Sequence, residues 1–288
     1  MTPAPPRFRF SCTSFSFPLL RLPAVARVLS ALEFRHVDLC IADGDRDVRA
    51  QAVEADPAAV AGLDRRACED AGLSVVDVFC HLGRNAFDRP VNTPDPAQRR
   101  HNRERFSAYL AYAAAVGAEG LTLSPGKPWA EMSDGGVHLA CEELAVYAGW
   151  ARGRGLRLSV EPHLDSIAAE PESAARLVER VPGLTLTIDY SHFVARGIDQ
   201  AAVHPLLPLA GHVHVRQAAP GKLQAADDEG VIDFDPVLER LAGLGYRGAL
   251  TLEYLWSPWQ GMNRIDVVTE TLRLRRRLEA RGAAPAAR

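Results

Sequence analysis

Eight short apolar runs alternate with helical stretches along 288 residues, four of the runs share one phrase, and no Ser-, Gly- or Pro-rich linker divides the chain. These observations predict an α/β protein built as a single (β/α)8 barrel, a fold that typically takes about 250 residues. The expected strands are Phe8–Cys12, His36–Ile41, Ser74–Cys80, Leu121–Ser124, Leu156–Glu161, Leu184–Asp189, Gly211–Val215 and Ala249–Glu253. The shared phrase reads Gly120-Leu-Thr-Leu-Ser, Gly155-Leu-Arg-Leu-Ser, Gly183-Leu-Thr-Leu-Thr and Gly248-Ala-Leu-Thr-Leu. Its recurrence matches one βα unit rather than a solenoid repeat.

The helices follow from their end signals. One opens with Asp95 as N-cap and Pro96 at the first helical position, then runs to about Val116. Others are expected over Val137–Arg154, Glu172–Arg180, Asp235–Leu244 and Asp266–Arg281. Gly117, Gly155, Gly183 and Gly245 supply C-terminal stops. One domain over residues 1–282 is expected, with 283–288 as a frayed tail.

Composition bounds the function. Hydrophobic residues at 47% and charged residues at 24% exclude wholesale disorder. A net charge of −3 argues against nucleic acid or a membrane surface as partner. No apolar run approaches the ~20 residues of a membrane span. Phe15–Ala26 faintly resembles a signal peptide, but Pro18, Arg21 and Pro23 interrupt it. The five cysteines are scattered and lack CxxC spacing, which fits reduced, buried thiols in a cytoplasmic protein. Self-association into a homo-oligomer stays open.

Alternation along the strands identifies a candidate site. Leu158 and Val160, Leu186 and Ile188, and Leu250 and Leu252 share the face expected under the outer helices. Ser159, Thr187 and Thr251 point inward, and the next inward residues are Glu161, Asp189 and Glu253. In Gly211-His-Val-His-Val-Arg216, His212 and His214 share the inward phase, with Arg216 beyond them. His214 lies nearer the strand end and is the better ligand, while His212 reads as a core or orienting histidine. Glu161, Asp189, His214 and Glu253, from four consecutive strands, would converge at the catalytic mouth. Three carboxylates and one imidazole suit one divalent cation, Mn²⁺, Mg²⁺, Co²⁺ or Zn²⁺, and the absence of thiolates speaks against structural zinc. A lone carboxylate at a strand end is ordinarily a solvated edge or a helix cap. Four in phase are hard to reach by chance, and burying them unpaired would be very costly.

The phrases Ser-Val-Glu161-Pro-His163, Thr-Ile-Asp189-Tyr-Ser-His192-Phe, Gly-His-Val-His214-Val-Arg216, Glu229-Gly-Val-Ile-Asp-Phe234 and Gly245-Tyr-Arg-Gly-Ala-Leu-Thr-Leu-Glu253-Tyr resemble the xylose isomerase-like TIM barrels, ketose 3-epimerases among them. The resemblance is strong over Gly155–Asp266 and one of pattern only before that. It implies that Glu161, Asp189, His214 and Glu253 hold one metal, that both glutamates move protons, and that His192 and an arginine near His214 contact substrate. Arg216 is closer to His214 than that pattern has it. Endonuclease IV, of the same superfamily, builds a three-metal cluster with an Asp-x-His before its last unit. Here that stretch, Lys222–Gly230, contains no histidine, and Ser124 stands where the strand-four histidine would be.

A metal with two carboxylates suits proton abstraction α to a carbonyl, through a metal-bound enediolate. The expected activity is therefore that of a sugar isomerase or epimerase, acting on a small keto-sugar or sugar phosphate. The alternatives are an inosose dehydratase-like enzyme, which would lose a β-hydroxyl, and a sugar-binding barrel without turnover. His163 follows Glu161 in phase and is a candidate substrate contact; His81 is a weaker one. Trp129, Trp256 and Trp259 are candidate walls that shield the intermediate from water, Trp256 being taken as a substrate contact. Of 33 basic residues only Lys127 and Lys222 are lysine, each after a Pro-Gly in a loop on the catalytic face. At least one of the two is expected to reach the pocket and bind an anionic or strongly polar group.

Overall fold

The computed structural model describes residues 8–44, 48–132 and 134–281; the expected frayed tail lies outside the described residues. The strands are β1 (Arg9–Thr13), β2 (His36–Ala42), β3 (Val48–Arg49), β4 (Ser74–Cys80), β5 (Gly120–Leu123), β6 (Arg157–Val160), β7 (Leu184–Asp189), β8 (Ala210–Val215) and β9 (Ala249–Leu252). Neighbours run β1-β9-β8-β7-β6-β5-β4-β2, and β1 pairs with β2 to close an eight-stranded parallel barrel. The two-residue β3 pairs in parallel with the last two residues of β2.

The outer helices are α1 (Leu22–Ala31), α2 (Ala50–Ala55), α3 (Pro57–Asp70), α4 (Pro96–Val116), α5 (Val137–Arg152), α6 (Pro171–Arg180), α7 (Tyr190–Ala195), α8 (Gln200–Val203), α9 (Asp235–Gly243) and α10 (Val267–Ala280). The expected end signals operate in α4: Asp95 accepts from the Ala97 N–H at 2.8 Å, and Gly117 ends the helix at φ +86°. Helix α1 is not among the helices expected from sequence. Pro23 falls in its first turn, where proline costs no hydrogen bond, so it is compatible with the start of the helix. Its buried face, Leu22, Val25, Ala26 and Leu29, joins the core between sheet and helices. Each such Leu or Val contributes about 1.5–3 kcal/mol through burial.

That core also contains Leu158, Val160, Leu186, Ile188, Leu250 and Leu252, as strand alternation requires. The inward face is different: it carries polar side chains that bond to one another. Ser11 Oγ donates to Asp38 Oδ1 at 2.6 Å, and His212 Nε2 lies 2.6 Å from Asp38 Oδ2. Thr122 Oγ1 donates to Asp77 Oδ2 at 2.5 Å and lies 2.6 Å from Thr187 Oγ1, while Arg157 Nη2 donates to Asp77 Oδ1 at 3.0 Å. An unpaired buried polar group would cost about 1–3 kcal/mol, so these side chains hold one another.

The register of β7 on β8 shifts between Leu186 and Thr187, which places Thr187 opposite His212 and Asp189 opposite His214. Gly211 occupies the shift. A Cβ there would fall 2.2 Å from Thr185 Oγ1 and 2.5 Å from Arg157 Cδ, so only glycine lets both histidines that follow keep their places. Among the described residues no helix is long and apolar enough to cross a membrane. All five cysteines are buried.

Candidate active site at the carboxyl ends of the strands

Strands β6 and β9 end one residue before their glutamates, yet the ladder continues through both. The Glu161 N–H donates to Leu123 O at 2.9 Å, and the Glu253 N–H to Val215 O at 3.1 Å. The backbone therefore fixes both carboxylates at the top of the barrel. His214, between them, lies with Nδ1 2.8 Å from Glu161 Oε1 and 3.3 Å from Glu253 Oε2. All three side chains are buried, and their donor atoms lie within 4.8 Å of one another, a grouping that can hold a metal ion.

Two further groupings overlap it among the described residues: Glu161 with His163 and His192, and Asp38 with His212 and His214. His163 Nε2 lies 2.6 Å from Glu161 Oε2, and the His192 ring, tilted by 42°, is centred 4.3 Å from that of His163. The Leu164 N–H donates to His192 Nδ1, so Nε2 faces the gap between Glu161 (3.8 Å) and Asp189 (3.7 Å). Asp38 was not among the residues singled out from sequence. It lies 3.7 Å from His214 Nε2 and so backs the imidazole on the side away from the glutamates.

Asp189 belongs to none of these groupings. It caps α7, accepting from the Ser191 N–H at 2.8 Å and from Ser191 Oγ at 2.7 Å, and it accepts from Arg216 Nη2 at 2.8 Å. Arg216 is itself only 2% exposed. Its Nε donates to Ser191 Oγ at 2.8 Å, and its Nη2 lies 3.4 Å from Glu253 Oε2 and 3.2 Å from His192 Nε2.

The electrostatics follow from this crowding. Burial alone would raise the Glu161 carboxyl, but His163 and His214 outweigh it and hold the group well below the usual carboxylate range. Burial opposes charge on His214, yet Glu253 and Glu161 raise it well above an ordinary imidazole. His192 is pushed down to about 3 by burial and then by His163, so it is neutral near neutrality. Arg216, opposed by burial and supported by Glu253 and Asp189, stays charged. A divalent cation would compete with the His214 proton for the same lone pair.

Above this floor opens a cavity of about 450 Å³. His163, Arg216 and Glu253 form its polar base; Phe15, Phe79, Trp256 and Trp259 wall it; Arg84 and Asn85 lie at its edge. Glu253 Oε2 is buried there without a hydrogen-bond donor. Trp129 and the two lysines are not part of the lining. The Lys127 ammonium lies 4.0 Å from the centre of the Trp129 ring, and Lys222 Nζ pairs with exposed Glu229 at 2.9 Å. The loop cation at the cavity is instead Arg84, which no spacing in the sequence marks.

Comparison with known proteins agrees with this architecture. The family model described as xylose isomerase-like TIM barrel matches residues 26–278. A D-psicose 3-epimerase solved in the presence of D-fructose superposes with a TM-score of 0.73 at 13% identity, covering 96% of this chain and 100% of that one. The probable 3-DHS dehydratase of Bacillus anthracis gives 0.69 at 15% identity, covering 93% and 98%. A xylose isomerase-like TIM barrel protein from Mycobacterium smegmatis, in complex with magnesium, gives 0.71 at 16%, covering 98% of each. At these identities the likeness establishes the fold. No curated protein matches the sequence significantly.

Proposed function

We propose, from the premise that this chain belongs to the xylose isomerase-like TIM barrel family, that it is a divalent-metal-dependent isomerase or epimerase of a small keto-sugar or sugar phosphate. One observation carries the reading: Glu161, His214 and Glu253 bring donor atoms within 4.8 Å of one another beside the cavity, and Glu253 Oε2 is left without a hydrogen-bond donor. Two carboxylates and an imidazole, all oxygen and nitrogen donors, fit a hard or borderline divalent cation. A bound Mn²⁺, Mg²⁺, Co²⁺ or Zn²⁺ supplies Lewis-acid stabilisation of the negative charge that develops on the substrate's oxygens.

The protein's own groups do the rest. Glu253 lines the cavity and is the carboxylate in position to take a proton α to the substrate carbonyl. Glu161, reached through His163, is the second carboxylate, able to return the proton to the other face or to the neighbouring carbon. His163 and Arg216 line the cavity base, where their N–H groups can orient substrate hydroxyls, with neutral His192 just behind them. Phe15, Phe79, Trp256 and Trp259 keep water from the enediolate. Loss of a β-hydroxyl after the same proton abstraction is the second reading, supported by the dehydratase among the structural neighbours.

A screen of ketoses, ketose phosphates and inososes with added Mn²⁺, Mg²⁺, Co²⁺ or Zn²⁺ tests the proposal, with NMR following solvent deuterium into carbon. Exchange at the carbon next to a carbonyl is the expected result, and an epimer, an isomer or a dehydrated product names the reaction. No exchange on any of these substrates with any of these metals would refute it.

A further inference from the structure

The cavity of the proposed site is two-sided. Its polar base, His163, Arg216 and Glu253, comes from just past the ends of β6, β8 and β9. Its other side comes from Phe15, just past β1, Cys40 of β2 and Phe79 of β4. These three form a small apolar cluster of their own, apart from the core beneath the helices, with Leu255 packed against it. A hydroxyl held against that side would lose water without gaining a partner, so the wall suits carbon rather than oxygen.

Trp256, 46% exposed, lines this cavity and also a second, open groove of about 470 Å³. Phe17, Leu19, Leu20, Ile265 and Val268 line the groove, and Leu19 holds a large apolar side chain out in water at 83% exposure. Apart from the Trp256 indole, its two polar side chains are already engaged. Ser16 Oγ lies 2.6 Å from Thr13 Oγ1, and Asp266 accepts from the Val268 and Thr269 N–H groups at the start of α10. The groove therefore offers an occupant apolar surface and little else. Spaces of roughly 300–1,000 Å³ hold drug-sized ligands, so the cavity needs no extension to take a monosaccharide, yet the groove adds as much space again.

We propose that cavity and groove form one site, and that the substrate is a keto-sugar carrying an aromatic substituent, in chemical class a keto-glycoside with an aromatic aglycone. The sugar ring then lies over Glu253 and Arg216, and the aglycone crosses the Trp256 indole, a surface suited to a second ring, into the groove. The glycosidic bond occupies the anomeric carbon. A carbonyl at another ring carbon keeps its α C–H bonds, so enolisation proceeds as in the proposed function.

The proposal rests on that reading, and a ligand series separates the two. Calorimetry with Mn²⁺ present measures binding of the 3-keto derivatives of methyl, phenyl and 2-naphthyl β-D-glucopyranoside. The proteins are the wild-type chain, Leu20→Asp and Val268→Asp, each checked for folding by circular dichroism; both positions line the groove and not the cavity. The wild type should bind the phenyl compound at least about tenfold more tightly than the methyl one, and the naphthyl compound more tightly still. A carboxylate in the groove should reduce that aryl preference to within about threefold. Absent or equal affinities across the series in the wild type, or a full aryl preference in both variants, would overturn the proposal. So would self-association of the wild-type chain that Leu20→Asp abolishes in sedimentation, because a second copy would then cover the groove. Deuterium exchange on free ketoses with no aryl preference would remove the groove from the site and leave the enolisation reading standing. An aryl preference with no exchange on any ligand would do the reverse.

Discussion

The two glutamates of the site differ in what holds them, so the same substitution should have different consequences at each. Glu161 is bonded through Oε1 to His214 at 2.8 Å and touches His163 through Oε2 at 2.6 Å. Glu253 Oε2 has no hydrogen-bond donor, and its cationic neighbours His214 and Arg216 keep Glu161 and Asp189 as partners when it is neutralised. In the metal-free protein, Glu161→Gln therefore breaks a buried ion pair, at a cost of about 3 kcal/mol. For a chain of this size that corresponds to a fall in Tm of roughly 6–12 °C. Glu253→Gln should lower Tm by less than Glu161→Gln does, since no hydrogen bond is lost and only the attraction of its charge for His214 and Arg216 goes. Both variants should lower deuterium exchange into substrate by about 10²–10⁴, the usual contribution of a general acid or base. The pH dependence separates them further. Because the Glu161 carboxyl is held low in the folded protein, its contribution is full above the unfolded carboxylate value of about 4.3 and is lost as pH falls through the folded value. Wild type and Glu253→Gln should share that acid loss of stability, and Glu161→Gln should lack it. Thermal melts of the metal-free proteins across pH 3–7, with NMR exchange on the metal-loaded ones, measure both quantities. Wild-type Tm and wild-type exchange in Glu161→Gln would refute the reasoning.

Gly211→Ala should destabilise the barrel by about 1–3 kcal/mol, because its methyl would meet Thr185 and Arg157 inside van der Waals contact; an unchanged melt would show that the register shift tolerates a side chain. Asp38→Asn should weaken Mn²⁺ binding about 10- to 100-fold by freeing the far side of His214, and equal affinity would remove Asp38 from any orienting role. Lys127→Ala and Lys222→Ala should leave KM unchanged, since one ammonium lies on an indole and the other on Glu229; a raised KM in either would return it to the substrate site.

Much of this arrangement is written in strand alternation. The Leu-x-Leu phrase declares which face meets the helices, and two-residue periodicity then carries Glu161, Asp189, His214 and Glu253 to one end of the barrel. What alternation does not carry is rotation at the strand end. Whether Asp189 turns to a shared centre or to its own helix depends on Ser191 and Arg216, a packing outcome with no period. Asp38 was readable and was missed: it lies in the inward phase of Val37-Asp38-Leu39-Cys40-Ile41, but the apolar run around it hides the alternation. The helices α1 and α3 open on proline in their first turns and carry several alanines, and neither is among the helices expected from sequence. Arg84 and Asn85 come from a loop, where neither period nor cap signals apply.

The tryptophan walls give the protein a built-in optical readout. Trp256 and Trp259 line the cavity and remain about half exposed, whereas Trp129 is covered by Lys127 and Trp150 stacks on Tyr147 away from the cavity. Two of the four indoles of this chain thus lie at the cavity, as rings whose contact with water changes when a ligand enters. Quenching or a blue shift on titration would report occupancy whether or not the compound turns over. Candidate ligands can then be ranked by affinity before any reaction is observed, with Trp256→Phe and Trp259→Phe identifying which wall each ligand touches.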